Sequence, residues 1–285
     1  MAKVLAFINL KGGVGKTTLS VATSEILAVS HQKRVLLIDL DPQTNSTVML
    51  IGEHQWKELN DSKLTLYRLF RDEIDGERKF DIRSAIQKGV GNVETVQSLD
   101  LLASSLDLID LQDHLPQTPP GQKFKKSFVD MLWRAVKPVM DDYDYVVIDC
   151  PPTLSTITLN GLRFADGYVI PVVPDILSTY GIPQILSRVE RFEKALDISL
   201  PALGIAVTKY RGHIKLHEAT VARLKAKKDY PPVFKSLIPD TSHVAAAATY
   251  TNDKIGTLRQ KYGYGGAFDA LDSLTNEIVK KLKNQ

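Results

Sequence analysis

A chain of 285 residues with 44% hydrophobic and 24% charged side chains is long enough to bury a sizeable core and falls in the ordinary globular range, away from disordered and membrane classes. No run approaches the ~18 consecutive apolar residues of a spanning helix, and a single cysteine, Cys150, excludes an internal disulfide and argues against a cysteine metal cage. The net charge of +3 is uneven: residues 201–285 carry 14 Lys/Arg against 7 Asp/Glu, net +7, which leaves net −4 for residues 1–200; a polyanionic partner and a merely solvated lysine-rich surface both fit that asymmetry.

At the N-terminus the apolar run Val4 to Ile8 is too short for a signal peptide and runs into glycine-rich turn chemistry, so a soluble cytoplasmic protein is expected. That run reads instead as a buried parallel strand. A helical pattern follows from Lys16 to about Val29, with Leu19, Ala22, Ile26 and Val29 at helical spacing. Val35 to Ile38 is the next strand, ending in Asp39 and Asp41. Residues 52–95 are polar and less regular, and are expected to form helices and loops covering one side of a sheet. Further strands are expected at Leu99 to Leu102, Tyr145 to Ile148, Tyr168 to Val172 and Leu203 to Val207, and Pro116 to Gly121 reads as a loop. The last helix, about Ala267 to Leu282, sets Phe268, Leu271, Leu274, Ile278 and Leu282 near one face. Phe268 is its only aromatic and Asp269, Asp272 and Glu277 interrupt its polar side, which favours a core-packing helix over a membrane-binding one. Strands alternating with helices predict an α/β fold: a doubly wound, mostly parallel twisted sheet flanked by helices, a single domain over 1–285, with ligands at the carboxyl ends of its strands.

The strongest chemical signal is Lys11-Gly12-Gly13-Val14-Gly15-Lys16-Thr17-Thr18, placed between a predicted strand and a predicted helix. Glycines let the backbone curl so that successive N–H groups point at phosphate oxygens, and the helix N-terminus adds partial positive charge. Lys16 can reach the β- and γ-phosphates and the Thr17 hydroxyl can ligate Mg²⁺. The box departs from the general P-loop pattern, whose usual first glycine is missing at Asn9 or Leu10, and carries Lys11 in its stead. Asp39 and Asp41 end one predicted strand and Asp149 another, where a carboxylate can hold the water shell of Mg²⁺ beside a P-loop. A strand-ending aspartate by itself often only caps a turn; three of them with a P-loop form a constellation. His213, His217 and His243 have no ligand pattern around them.

These motifs resemble the ParA/MinD family. Lys11 to Thr18 is similar to its deviant Walker A box, Asp39-Leu40-Asp41-Pro42-Gln43-Thr44-Asn45 to its second box, and Asp149-Cys150-Pro151-Pro152 to its Walker B and second switch. Ala103 to Leu108, Ile170 to Pro174 and Thr208-Lys209-Tyr210 also resemble ParA segments, whereas residues 52–95 find no counterpart. The Asp-Pro-Gln tripeptide favours ParA over MinD-like members. The resemblance implies a P-loop ATPase using ATP and Mg²⁺ that forms a homodimer in the ATP state and hydrolyses ATP weakly until stimulated. Lys11 would be the signature lysine that reaches the partner copy's phosphates. Lys16 would bind phosphate in cis, with Gly12, Gly13, Val14, Gly15 and Thr18 around it. Thr17, Asp39 and Asp149 would serve the metal, Asp41 would orient the attacking water, and Thr208 and Pro239 would lie toward the base.

The family's usual arginine and Glu-Ala pair after Ile-Pro are replaced here by Asp240 to Ala248, so the family's partner- and DNA-contacting residues do not carry over to that segment. The chain starts almost at its first strand, so no preceding helix-turn-helix and no operator-specific binding are expected. The implied function is a positioning ATPase that binds DNA non-specifically, is nucleoid-associated when ATP-bound, and moves a cargo with a small ParB-like or adaptor partner, without a membrane. A MinD-like membrane-cycling ATPase and a metabolic P-loop ligase or kinase are the alternatives.

Overall fold

The computed structural model describes residues 1–114 and 126–285, so the expected loop at Pro116 to Gly121 lies outside the described residues. The strands are Lys3–Phe7 (β1), Val35–Asp39 (β2), Ile86–Gln87 (β3), Leu99–Leu102 (β4), Tyr145–Asp149 (β5), Gly167–Val172 (β6) and Ala202–Val207 (β7). Every residue of β2, β4, β5 and β6 is buried, as apolar runs covered on both faces must be. They form one sheet in the order β3-β4-β2-β5-β1-β6-β7. All pairs are parallel except β3 with β4.

β1 lies between β5 and β6, while the chain crosses from it to β2 on the far side of β5. This reversal opens a crevice at the carboxyl ends of the central strands. The register sets Phe7, Asp39 and Asp149 at the same level, because Asp149 pairs with both Phe7 and Asp39. The two strand-terminal aspartates thus stand side by side under the loop that leaves β1.

Two apolar layers enclose the sheet. Helix α1 (Lys16–Val29) and the C-terminal helix (Ala267–Lys283) share one of them, through Leu19, Ile26, Leu271, Leu274, Ile278 and Leu282. The apolar face of the last helix is therefore committed to the core, as its charge pattern indicates. The other layer joins the helices Met131–Val136, Thr156–Leu162 and Ile182–Leu196 to the sheet.

The segment 52–95 is more regular than expected and covers both faces. Helix α2 (Asn45–Asp61) changes direction at Gly52, whose φ of 75° and ψ of 165° are not helical. The Tyr250 ring occupies the space where a Cβ would stand, 2.7 Å away, so only glycine fits. Helix α3 (Leu66–Asp75) puts Leu66, Leu69 and Phe70 into the second layer, while Val90, Val93 and Val96 enter the first. The chain passes from one face to the other around the β4 edge by way of the two-residue antiparallel β3, which is too short to leave a periodic signal.

Candidate nucleotide site

The loop after β1 owes its shape to its own residues. Gly13 and Gly15 are left-handed, with φ of 73° and 84°, and nothing lies within 4 Å of where a Cβ on Gly12 or Gly13 would be. The Asn9 side chain braces the loop: its Nδ2 donates to the Pro171 carbonyl at 2.6 Å and its Oδ1 accepts from the Lys11 N–H at 2.9 Å. Val14 is buried, and its carbonyl accepts the Thr208 hydroxyl at 2.8 Å. No side chain caps α1, so its first N–H groups face the loop with the helix dipole behind them, a ready anion site.

Lys16 is 6% exposed, and its ammonium donates to the Lys11 carbonyl at 3.1 Å. Burial lowers its pKa, against the opposing pull of the Asp149 and Asp41 carboxylates. A cavity of about 290 Å³ opens above, lined by Gly12, Gly13, Gly15, Lys16, Thr17, Thr18, Asp41, Gln43, Asn45, Val48, Met49, Pro152, Lys209 and Ala248.

Beneath it lie two fully buried carboxylates. Asp149 accepts from Ser20 Oγ at 3.2 Å and from Ser46 Oγ, with the Thr17 hydroxyl also bonded to it. Burial pushes it up to about 6 despite those donors. Asp39 accepts from the Thr47 N–H at 2.9 Å, the Thr47 hydroxyl at 2.7 Å and the Asp41 N–H at 3.1 Å. Burial and the adjacent Asp149 charge push it well above the usual carboxylate range. Asp41 is 5% exposed and accepts from the Gln43 N–H at 3.0 Å; burial raises it, while the Gln43 bond and Lys16 act in the other direction. Among the described residues, two buried carboxylates and a third beside them lie close to the Lys16 ammonium. This excess of negative charge and oxygen donors suits a hard, oxygen-seeking cation such as Mg²⁺ near the Thr17 hydroxyl.

Of the residues singled out from sequence, Gly12, Gly13, Gly15, Lys16, Thr17, Thr18 and Asp41 meet at the cavity. Val14 points inward and Asp39 and Asp149 form the floor. Lys11 turns aside: its ammonium lies 2.9 Å from Ser178 Oγ and 3.4 Å from each Asp175 oxygen. Thr208 spends its hydroxyl on Val14 and Val172. Pro239 pairs along the backbone with Tyr210 and is not among the lining residues, whereas Lys209, at φ 49°, is.

Sequence reasoning overlooked the supports Asn9, Ser20, Ser46, Thr47, Ser104, Asp175 and Ser178. Ser20 follows Lys16 by one helical turn, a legible cue; Ser104, whose Oγ donates to the Asp41 carbonyl at 2.7 Å, lies in the Ala103 to Leu108 segment picked out by resemblance, but no local pattern assigns it that bond. The basic residues of the C-terminal third also divide. Lys261 is buried on Glu25 at 2.6 Å, Arg211 pairs with Asp240 and Arg259 with Asp269, whereas Lys215, Arg223, Lys225, Lys227 and Lys228 are exposed on and after the helix Lys215–Ala226. Lys261 is therefore no candidate for a polyanion.

Residues 2–202 match a family model described as an AAA domain. The sporulation initiation inhibitor protein Soj of Bacillus subtilis is 32% identical over 250 residues, 88% of this chain and 89% of that protein. The chromosome partitioning protein ParA of Caulobacter vibrioides is 31% identical over 249 residues, 87% of this chain and 84% of its own. Among solved structures, apo McdA of Cyanothece superposes with a TM-score of 0.74 at 22% identity, covering 98% of this chain and 100% of that one, a likeness of fold. Cobyrinic acid a,c-diamide synthase of Mycobacterium smegmatis, solved with a bound ATP analogue and magnesium, superposes with a TM-score of 0.73 at 25% identity, covering 98% and 95%.

Proposed function

This chain belongs to the ParA family of P-loop ATPases, and on that premise we propose that it is a nucleotide-driven positioning switch: an ATPase that pairs with a second copy when MgATP is bound and then holds DNA without sequence preference. The observation that carries this reading is the pairing of a complete cis phosphate cradle with a lysine, Lys11, that stands at its rim yet does not turn into it. We read that lysine, bonded to its own chain at Ser178 and Asp175, as directed to the phosphates of a second copy once it is released.

In this reading the whole chain acts as one ATPase domain. The N–H groups of Gly13 to Thr17 and the α1 dipole receive the β- and γ-phosphates, and Lys16 leaves the Lys11 carbonyl to bridge them. When bound, Mg²⁺ would sit on the Thr17 hydroxyl and, through water, on Asp149, where it would neutralise phosphate charge. Asp39 supports that water shell from one step away, since its oxygens hold Thr47 and Asp41 in place. Asp41 orients the attacking water, and burial makes its carboxylate a better proton acceptor than a solvated one. Lys209 and Ala248 flank the base end, with Thr208 bracing the loop from behind. A small ParB-like or adaptor protein stimulates the otherwise weak turnover. The protein is cytoplasmic, gathers on the nucleoid in its ATP form, and distributes a plasmid, a chromosome origin or a protein compartment.

Light scattering of the purified chain with AMPPNP and Mg²⁺, with ADP and without nucleotide tests the switch. A dimer is expected with the triphosphate analogue alone. A monomer in all three conditions would instead favour the metabolic alternative, which needs no second copy.

A further inference from the structure

The place where Lys11 rests is built independently of it. Asp175 opens the short helix Ile176–Thr179; its Oδ1 accepts the Ser178 N–H at 2.6 Å and its Oδ2 accepts the Ser178 hydroxyl at 2.8 Å. Ser178 is 1% exposed, so its hydroxyl has a fixed direction. The Lys11 ammonium completes a chain in which it donates to Ser178 Oγ, which donates to Asp175. Both ends of this arrangement hang on β6: Asn9 ties the Lys11 backbone to the Pro171 carbonyl, and Asp175 follows the same strand by three residues. The ammonium and its receptor therefore keep their distance without help from a ligand. Tyr180, 69% exposed, lies on the same rim, beside Gly181, which approaches Asn9 and Leu10.

We propose that Asp175 and Ser178 are positioning residues that hold the Lys11 ammonium in cis in the nucleotide-free chain and so set the threshold for pairing of two copies on ATP. The inference rests on the reading of Lys11 as a ligand of the partner copy's phosphates. An ammonium bonded to its own chain is not available to another, so each copy must release Lys11 before a pair closes, and apparent dimer affinity falls with the fraction of chains already released. Phosphates inside a closed interface are a stronger acceptor than a carboxylate that is itself 36% exposed, opposite a lysine that is 42% exposed. The hold is weak enough to be reversed: an exposed ion pair of this kind shifts an equilibrium by about two- to fivefold. Two are released per dimer, which multiplies to about four- to twenty-five-fold in the dimer dissociation constant. ADP does not offer the γ-phosphate that competes for Lys11, so the cis hold also sharpens the distinction between the two nucleotides.

The test uses the full chain carrying Asp175→Asn, Ser178→Ala, or both. Asparagine keeps an oxygen for the Ser178 N–H, so the short helix retains its cap, while it removes the charge and replaces the oxygen that accepts the Ser178 hydroxyl by an amide NH₂. Two quantities are read: the rate at which an amine-reactive reagent modifies Lys11 in the nucleotide-free monomer, by mass spectrometry, and the dissociation constant of the AMPPNP dimer, by sedimentation. Faster modification of Lys11 by about two- to fivefold, with a dimer tightened as above and unchanged nucleotide affinity of the monomer, is the expected result. Unchanged modification of Lys11 overturns the proposal, and so does faster modification without a tighter dimer. If neither wild type nor variants pair with AMPPNP, the reading of Lys11 as a trans ligand fails and the threshold with it, while the modification rates still report separately on the cis hold.

Discussion

Asp149 shows how one residue's surroundings set both stability and chemistry. Its folded pKa of about 6 lies above the ordinary carboxylate value because burial outweighs the Ser46 and Thr17 hydroxyls. The folded state therefore binds that proton more tightly than the unfolded chain, and stability from this group falls as pH rises from about 4 through 6. In chelator and without nucleotide, Asp149→Asn is expected to melt higher than wild type at pH 7, with the difference shrinking toward pH 4. A constant difference across that range would show that the carboxylate is already ionised at low pH. Hydroxyl partners rotate to suit an amide, which makes this a clean substitution. Asp41 is a different case, since it lines the cavity beside Lys16 and its carboxylate accepts the Gln43 N–H. Asp41→Ala should bind MgATP as tightly as wild type, hydrolyse it at least about tenfold more slowly and accumulate as the dimer. Single-turnover hydrolysis at the wild-type rate would remove Asp41 from the water-orienting role.

Among the elements, α1 carries the P-loop and is moored far from it. Glu25 is fully buried on α1, with both oxygens taken, by Lys261 Nζ and Tyr262 OH, each at 2.6 Å. Lys261 and Tyr262 belong to the helix Leu258–Tyr262, which opens with a Thr257–Gln260 capping box. A buried pair is not strongly stabilising against an apolar replacement, but removing one partner strands a charge. Lys261→Met should thus cost about 3–5 kcal/mol, and adding Glu25→Gln should restore much of it. Urea titrations check this; a single variant within about 1 kcal/mol of wild type would mean that water reaches Glu25. The same element view explains why α2 and α3 were only half legible. Their apolar residues follow a helical period, but Gly52 interrupts the first, and the face-to-face passage at β3 is decided by the sheet edge and not by local pattern.

At the level of the whole molecule, charge is what the fold redistributes. The net +7 of the last 85 residues is cut down by pairs that close within the chain, namely Lys261 with Glu25, Arg211 with Asp240 and Arg259 with Asp269. Among the basic residues that stay exposed, Lys215, Arg223, Lys225, Lys227 and Lys228 cluster along one helix and its exit, while Lys209, Lys235, Lys254, Lys280 and Lys283 are spread elsewhere. Two copies joined by ATP would double that cluster. Binding to random-sequence duplex should appear with the triphosphate and weaken with salt at a log–log slope of about −0.9 per phosphate neutralised. Reversing Arg223 and Lys225 to Glu should make the slope shallower and leave dimerisation unchanged, whereas Lys261 variants that fold should keep the wild-type slope. Fluorescence anisotropy at several salt concentrations reads all three. Binding that is equal with ADP, or flat in salt, would argue for a different surface.

The residue order alone determined the sheet's central strands, the curl of the P-loop and the aspartates that end β2 and β5, because each follows from local pattern: apolar runs of strand length, glycines where φ must be positive, and carboxylates at strand ends. The register that sets Asp39 beside Asp149 belongs to the tertiary structure. Residue order also determined the burial of the last helix, whose apolar stripe has one consistent face. Only the tertiary structure decided how those groups are held. Ser104 fixes the loop of Asp41 across 63 residues, Thr208 braces Val14 across 194, and Asp175 meets Lys11 across 164. Such contacts depend on which strands become neighbours at the crevice, and neighbours in a doubly wound sheet are not neighbours in the chain.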